Sequence, residues 1–296
     1  MKFSRSNLQG DKNLSRRDFL KLLKVGALDL ALLTMGGGLY SLLVEPRLVK
    51  VESVKLKLRR LTPGFSGIRM MQISDIHMGG WMNTERLQNV VALIVDQKPD
   101  LILFTGDFLI GRTYDANTEQ AVHDLITILG PVADSIPSYA ILGNHDYWIN
   151  PEAVRGMLHS CNILDLTNRA FTLTRGVEKL HICGVDDVWE DHVLAQIGDD
   201  GAAILMAHEP DYADVSAFTG RFDLQVSGHS HGGQVVLPFI GPPILPHLGR
   251  KYPSGLYQVG NMYQYTNRGV GMGRIPIRFN CPPEITVFTL NSEKDA

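Results

Sequence analysis

Short apolar runs that stop abruptly at polar residues recur along the chain, and they constrain its fold more than any other feature. The first three are residues 68–73, 101–104 and 139–142, and stretches of helical periodicity separate them. Such runs are typical of strands buried on both faces, and strands that alternate with helices are typical of βαβ units. The pattern therefore predicts an α/β fold whose polar residues gather at the carboxyl ends of the strands.

The same alternation predicts one large domain over residues 51–292. Helices are expected at 84–97, 118–129 and 151–159, where apolar residues recur on one face. The sequence of this region contains no internal repeat and no long linker, so one domain with two sheets is the simplest organisation. Further strands are expected at 54–58, 170–174, 180–185, 202–207, 224–227, 234–237, 256–259 and 285–290.

Composition excludes several classes of protein. Hydrophobic residues make up 44% of the 296 residues and charged residues 20%, as in ordinary globular proteins. Residues 1–24 carry seven Lys/Arg and two Asp, a net charge of +5, so the remainder is near −8 when the whole chain is −3. A body with this charge has no basic surface for nucleic acid, and we predict no nucleic-acid partner.

The three cysteines lie in no CxxC motif and predict neither disulfides nor a Cys-based zinc site.

The N-terminal segment has the pattern of a targeting signal. Residues 1–24 form a basic n-region, and residues 15–21 match the twin-arginine export signal S-R-R-x-F-L-K at every fixed position. Residues 25–45 form a hydrophobic signal or anchor segment, which Asp29 and the glycines at 36–38 make a weak membrane span. No A-x-A cleavage site follows, so an uncleaved anchor and a released protein both remain open. The predicted partners are the twin-arginine export machinery and the cytoplasmic membrane.

Five polar motifs at the predicted strand ends carry the chemistry. They are Asp75-x-His77, Gly106-Asp107, Gly143-Asn144-His145-Asp146, His208 and Gly228-His229-x-His231. Each motif alone could be a cap, a turn or a loop. Together they offer imidazole, carboxylate and amide ligands, which suit zinc, iron and manganese. Their number suits two ions that share a bridging carboxylate.

Two metal ions would favour one type of reaction. Ions about 3.5–4 Å apart polarise phosphoryl oxygens, lower the pKa of a bound water and neutralise charge in an in-line displacement at phosphorus. We therefore predict a hydrolase of phosphoric esters with two divalent metal ions, Mn²⁺, Zn²⁺ or Fe²⁺, in which a metal-bound water or hydroxide attacks phosphorus in line.

The order of the motifs resembles that of the calcineurin-like metallophosphoesterases, D-x-H, G-D, G-N-H-[DE], H and G-H-x-H, and every position is present. The resemblance covers roughly residues 68–290. It implies a four-layer α/β/β/α sandwich of two mixed β-sheets flanked by helices, with metal ions at the strand ends. It also implies that one ion would be held by Asp75, His77, Asp107 and His231, and the other by Asp107, Asn144, His208 and His229, with Asp107 bridging.

The resemblance further implies catalytic roles for two residues that are not ligands. His145 would face the leaving group, which needs a proton when it departs as an alkoxide. Asp146 follows directly in the sequence, and we expect its carboxylate to orient the His145 ring. His145 and Asp146 are therefore the predicted catalytic residues.

Residues outside the motifs resemble a bacterial branch of the family, the YkuE/YaeI-type phosphodiesterases. The similarity lies in the twin-arginine start and in residues 208–211, 232–234, 268–271 and 278–284. We therefore predict a phosphodiesterase acting at or beyond the cytoplasmic membrane. Related lipid A enzymes that cleave UDP-2,3-diacylglucosamine share the catalytic pattern, so a lipid-linked pyrophosphate substrate remains open. A phosphomonoesterase and a non-catalytic metal-binding scaffold are further alternatives.

An apolar, proline-rich segment at residues 236–248 follows the histidine pair. It is either a packed irregular loop or an apolar lip that receives a lipid-like substrate or touches the bilayer. Arg268 and Arg274, which lie near glycines, are either surface residues or contacts for a phosphate or sugar.

Overall fold

Twelve strands form two six-stranded mixed β-sheets in the computed structural model, which describes residues 16–186 and 191–295. In spatial order, the first sheet contains β1 (Lys50–Leu58), β12 (Glu284–Ser292), β2 (Ile68–Ile73), β3 (Leu101–Thr105), β4 (Ser138–Ile141) and β5 (Leu164–Asp165). The second sheet contains β10 (Gly255–Val259), β11 (Met262–Thr266), β9 (Leu224–Ser227), β8 (Gly201–Ala207), β7 (Glu178–Val185) and β6 (Arg169–Arg175). The α-helices in these ranges are α1 (Arg16–Leu39), α2 (Thr84–Asp96), α3 (Ala116–Ala133), α4 (Asn144–Ile149), α5 (Pro151–Ser160) and α6 (Ala213–Phe218).

Apolar cores separate four layers of secondary structure. Met71 of β2 packs in the core between the first sheet and the helices, with Leu125 of α3. Its neighbour Met70 faces the other way, into the core between the two sheets, with Phe288 of β12. Leu205 of β8 lies in a further core on the outer face of the second sheet, beside α6. Because β2 is buried on both faces, apolar residues occupy four of its six positions. The predicted α/β/β/α arrangement is confirmed.

Parallel pairing brings the polar strand ends to one region of the molecule. β2, β3 and β4 are parallel neighbours in the first sheet, and β8 and β9 are parallel neighbours in the second. Hydrogen bonds then join the two sheets at these ends. Nδ1 of His208, after β8, lies 2.7 Å from the carbonyl of Thr105 in β3. The backbone N–H of His229, after β9, donates to the Asp75 carboxylate at 3.1 Å. The two sheets therefore contribute to one site.

The strand predicted at residues 234–237 is not found among the described residues, and this prediction is wrong. A 3₁₀ turn, His231–Gly233, follows β9 instead. Gln234 has a positive φ of 60°, which interrupts an extended chain. Val235 forms only an isolated bridge, and Pro238 has no N–H to continue a ladder. The segment is an irregular loop as a result.

The predicted targeting segment is described from Arg16 onward, as α1. Residues 1–15, which hold much of the predicted basic n-region and the first residue of the twin-arginine motif, lie outside the described residues. Among helices of the described part of the chain, none combines the length and the hydrophobicity needed to cross a bilayer.

Residues 40–47, here called the N-terminal connector, lead from α1 towards β1 and are hydrogen-bonded to the body. The carboxylate of Glu45, which is buried, accepts the backbone N–H groups of Asn280, at 2.9 Å, and of Cys281. The Cys281 thiol in turn lies 3.3 Å from the carbonyl oxygen of His231. The connector therefore supports the loop behind a predicted metal ligand.

Glu45→Ala is expected to destabilise the protein by about 2 kcal/mol, because two backbone N–H groups lose their acceptor, one of them buried. Urea unfolding followed by circular dichroism measures this difference. Glu85→Ala, at an exposed glutamate in the first turn of α2, is the matched control and should change stability by less than about 0.5 kcal/mol. Equal stability of the two variants would contradict the supporting role of the connector.

Candidate dinuclear metal site

The loops at the strand ends have an uncommon backbone conformation. Left-handed φ angles between 51° and 66° occur at five of the predicted ligands: Asp75, His77, Asp107, His229 and His231. Such angles carry a conformational cost in residues other than glycine and concentrate at functional sites. Backbone hydrogen bonds between neighbouring loops hold them, since His77 N donates to Asp107 O and Asp75 N donates to Gly106 O, both at 3.0 Å.

Two motif glycines allow these loops to approach each other closely. A Cβ atom on Gly228 would lie 2.3 Å from an Asp75 carboxylate oxygen, and one on Gly143 would lie 2.3 Å from Oδ1 of Asp107. Neither distance is possible for a real side chain. The glycines before His229 and Asn144 therefore make room for the two carboxylates of the site.

The first group of candidate ligands joins the ends of β2 and β9. Nε2 of His77 lies 3.0 Å from Nε2 of His231, and Nε2 of His231 lies 3.3 Å from Oδ1 of Asp75. All three residues are buried. Two imidazole nitrogens at this distance attract each other only with a proton or a cation between them. The donor set and its convergence fit a metal ion.

The second group joins the ends of β3, β4, β8 and β9. The carbonyl of Thr105 accepts a hydrogen bond from Nδ1 of His208, which turns Nε2 of this ring towards Oδ2 of Asp107, 3.3 Å away. The carbonyl of His247 likewise accepts from Nε2 of His229 at 2.8 Å. Nδ1 of His229 then lies 2.8 Å from Oδ1 of Asn144. Ring nitrogens that face oxygen atoms in this way fit a bound cation.

Asp107 lies between the two groups. Its Oδ2 is 3.5 Å from Nε2 of His77 and 3.3 Å from Nε2 of His208. Its Oδ1 accepts the backbone N–H of His145 at 2.8 Å, which fixes the orientation of the carboxylate. One oxygen atom therefore faces ligands of both groups, as a bridging carboxylate must.

Electrostatics prepare most of these groups for metal binding. Burial opposes ionisation of Asp107, but the adjacent imidazoles of His208 and His77 outweigh burial and lower its pKa below the ordinary value. Burial lowers the pKa of His231 to about 3, so this ring is neutral at neutral pH. His208 differs, because the Asp107 carboxylate outweighs burial and raises its pKa well above the ordinary value. Metal loading is therefore expected to displace a proton from His208.

Comparison with known proteins agrees with this geometry. Residues 68–233 match the calcineurin-like phosphoesterase family. The chain belongs to this family. The matched region begins with β2 and ends with the turn that carries His231, so it contains all seven candidate ligands.

Two bacterial proteins match this calcineurin-like phosphoesterase over nearly their full length. The metallophosphoesterase YkuE of Bacillus subtilis is 37% identical over 290 residues, which are 95% of this chain and 99% of that protein. The phosphodiesterase YaeI of Escherichia coli is 28% identical over 282 residues, 94% of this chain and 99% of that protein. Among solved structures, the NAD nucleotidase of Haemophilus influenzae is 15% identical with a TM-score of 0.43, over 69% of this chain and 45% of that one. The predicted family is confirmed, and the chain is a hydrolase of phosphoric esters.

Asp146 of this phosphoesterase has a different position from the one expected. Its carboxylate accepts the backbone N–H groups of Phe108 at 3.0 Å, Leu109 at 3.1 Å and Gly143 at 3.0 Å. Within the part of the chain that the structure describes, it makes no hydrogen bond to the His145 ring, whose Nδ1 has no partner. As the third residue of α4, Asp146 directs its side chain back towards the start of the helix. This corrects the predicted orienting role: Asp146 fixes the loop after β3 against the start of α4.

A cleft of about 650 Å³ opens over the candidate ligands of the phosphoesterase. Asp107, Asn144, His145, His229 and His231 contribute to its polar part. The ring of His145, which is half-buried, lies 4.8 Å from the ring of His77 and 4.8 Å from that of Trp148. His145 therefore lies between the ligands and the cleft wall, where it can reach a bound substrate. The wall itself is largely apolar and contains Trp148, Val235, Ile244, Leu245, Ile275 and Ile277.

Only part of the apolar lining of this cleft could be predicted from the sequence. The predicted lip, residues 236–248, contributes Ile244 and Leu245, but Ile275 and Ile277 come from the loop at 273–278. In the sequence of this loop, two isoleucines near an arginine and a glycine are the only feature that could have indicated an apolar surface beside the site. Arg274 lines the cleft. Arg268 does not, because it pairs with two carboxylates at the sheet edge, those of Glu52 and Glu284.

Proposed function

We propose that the chain is a phosphodiesterase with two divalent metal ions, Mn²⁺, Zn²⁺ or Fe²⁺. The observation that best supports this function is the single Asp107 oxygen that faces both His77 and His208. When bound, two such ions supply a nucleophilic water at neutral pH and neutralise charge during in-line displacement at phosphorus. Asp75, His77, Asp107 and His231 would hold one ion, and Asp107, Asn144, His208 and His229 the other.

The remaining polar residues of the cleft would orient the diester and supply a proton. His145 lies beside the ligands without belonging to either group, so it is placed to donate a proton to the departing oxygen. Arg274 contributes a positive charge to the cleft wall, which complements the negative charge of a diester. Asp146 would act at a distance, through the loop that it fixes behind Asp107.

A lipid-linked pyrophosphate of the UDP-2,3-diacylglucosamine type is a second candidate substrate. The apolar walls beside the candidate ligands favour it, because they could accommodate acyl groups. Both substrates require attack at phosphorus and differ in the leaving group, which is an alcohol in one and a phosphate in the other. Metal-dependent rates on UDP-diacylglucosamine and on glycerophosphodiesters would separate the two.

Reconstitution with metal tests the proposed function. Chelator-treated protein should be inactive towards bis-p-nitrophenyl phosphate, and Mn²⁺ should restore hydrolysis. The diester should be cleaved faster than p-nitrophenyl phosphate. A preference for the monoester would support a phosphomonoesterase instead. Failure of metal to restore hydrolysis across a wide panel of diesters would support the non-catalytic scaffold.

We also infer that the protein acts at or beyond the cytoplasmic membrane after twin-arginine export. The motif at residues 15–21 and the apolar residues after it support this location. Replacing both Arg16 and Arg17 with lysine is expected to retain the protein in the cytoplasm, as measured by cell fractionation. Lys12→Arg with Lys24→Arg lies outside the motif, keeps the charge and is the matched control. Unchanged export of the Arg16/Arg17 double variant would contradict this location.

A further inference from the structure

The walls of the catalytic cleft expose large hydrophobic side chains. Trp148 is 52% exposed, Ile244 78% and Ile275 65%. The neighbouring turn at residues 237–241, closed by hydrogen bonds between Leu237 and Gly241, adds exposed Phe239 and Ile240. Exposed apolar residues that surround a polar site mark the binding surface of a ligand that is itself partly apolar.

Both walls are fixed to loops that carry candidate metal ligands. The hydrogen bond between Nε2 of His229 and the His247 carbonyl, at 2.8 Å, joins the segment at residues 236–248, which carries Ile244 and Leu245, to one ligand. In the loop at 273–278, the carbonyls of Ile275 and Ile277 accept hydrogen bonds from the Gln234 amide at 2.8 Å and 3.1 Å. Gln234 follows the turn that carries the second ligand of the histidine pair. The apolar walls therefore have a set position relative to the reacting phosphorus.

Charge in the cleft agrees with an amphiphilic ligand. Arg274 lines the cleft next to Ile275 in the sequence, and it forms no ion pair or hydrogen bond within residues 16–186 and 191–295. A free guanidinium beside apolar walls suits a molecule with both an anionic phosphate and a hydrocarbon part.

We propose that these walls, formed by Trp148, Val235, Ile244, Leu245, Ile275 and Ile277, are a subsite for the hydrocarbon chain of an amphiphilic phosphodiester. The proposal rests on the proposed function, because the phosphate of that substrate would lie over the candidate ligands. Continuity of the walls with the catalytic floor identifies the substrate, and no separate partner, as their occupant. Burial of three or four methylene groups in the subsite is expected to raise kcat/KM by about 10²-fold.

Two diesters with the same leaving group test the subsite. The Mn²⁺-loaded full chain is assayed with p-nitrophenyl dodecyl phosphate and p-nitrophenyl methyl phosphate, both below the micellar range. The dodecyl-to-methyl ratio of kcat/KM is expected to be about 10². In the Ile244→Ser/Ile275→Ser double variant this ratio should fall at least about tenfold. Val177→Ser/Phe218→Ser, at residues 95% and 94% exposed outside the cleft, should leave the ratio unchanged.

The outcomes distinguish the subsite from the function on which it rests. A wild-type ratio near one, with both substrates hydrolysed, would overturn the subsite and leave the phosphodiesterase intact. No hydrolysis of either substrate would overturn both. An equal fall of both rates in the cleft variant would also overturn the subsite, because the hydrocarbon chain would then be irrelevant. A further result would also overturn the subsite: the wild-type protein is a dimer, the cleft variant is a monomer, and the dodecyl-to-methyl ratio is the same in both. The walls would then bind a second copy of the chain.

Discussion

Asp107→Asn is expected to lose metal binding and phosphodiester hydrolysis together. The substitution keeps the shape of the side chain but removes the charge and one of the two carboxylate oxygens. Since Oδ2 faces Nε2 of both His77 and His208, neither ligand group remains complete. A fall in kcat/KM on the order of 10³ or more is expected, because both the activation of water and the neutralisation of charge at phosphorus depend on the ions.

Two measurements on the same preparation check this expectation. Metal content after equilibration with Mn²⁺ and dialysis should fall from two ions per chain, and the rate with bis-p-nitrophenyl phosphate should fall in parallel. Asp96→Asn, at an exposed aspartate that ends α2, is the matched control and should change neither value. A variant that retains two ions and hydrolyses the diester within tenfold of wild type would remove Asp107 from the bridging position.

His145→Ala is expected to separate metal binding from turnover. The side chain belongs to neither ligand group, so both ions should remain bound. Turnover of diesters with alkoxide leaving groups should fall by about 10²–10³-fold, the range of a lost general acid. Diesters of p-nitrophenol should be affected much less, because p-nitrophenolate departs without a proton.

Rates over a series of diesters that differ in leaving-group pKa measure this effect. The slope of log kcat against leaving-group pKa should be steeper for the variant than for wild type. His159→Ala, at an exposed histidine in the last turn of α5, is the matched control. Normal turnover of substrates with poor leaving groups by His145→Ala would exclude this histidine from proton transfer.

Much of this site could be predicted from the sequence because its ligands follow strands that are largely apolar. Asp107 comes two residues after β3 ends, and His208 directly after β8. Both strands are buried on both faces, so their apolar runs are continuous and their ends are sharply defined. Parallel pairing then requires these ends to lie together. The alternation of strands and helices also predicted one domain with two sheets, whereas the four-layer arrangement was implied by the resemblance of the motifs to the calcineurin-like family.

The features that could not be predicted depend on contacts between distant parts of the chain. The role of Asp146 is set by the N–H groups of Phe108 and Leu109, and their positions are known only once β3 and β4 are paired. Ile275 and Ile277 of the cleft wall come from a loop more than 40 residues after His231 in sequence, and the amide of Gln234 holds this loop. Gln234 itself has a positive φ, which no local sequence pattern indicates.

The N-terminal connector has a consequence for how the enzyme meets its substrate. Besides the Glu45 contacts, the carbonyl of Ser41 accepts the backbone N–H of Arg278 at 3.0 Å, so the bonded residues begin two positions after α1 ends. No long flexible linker therefore separates α1 from the body among the described residues. A flexible linker of n residues would let the body move through a volume that grows with n. The hydrogen-bonded connector instead limits how far the cleft can move away from α1. If α1 is held at a surface, encounter with substrate depends on the density of molecules within that surface, and bulk concentration has little influence.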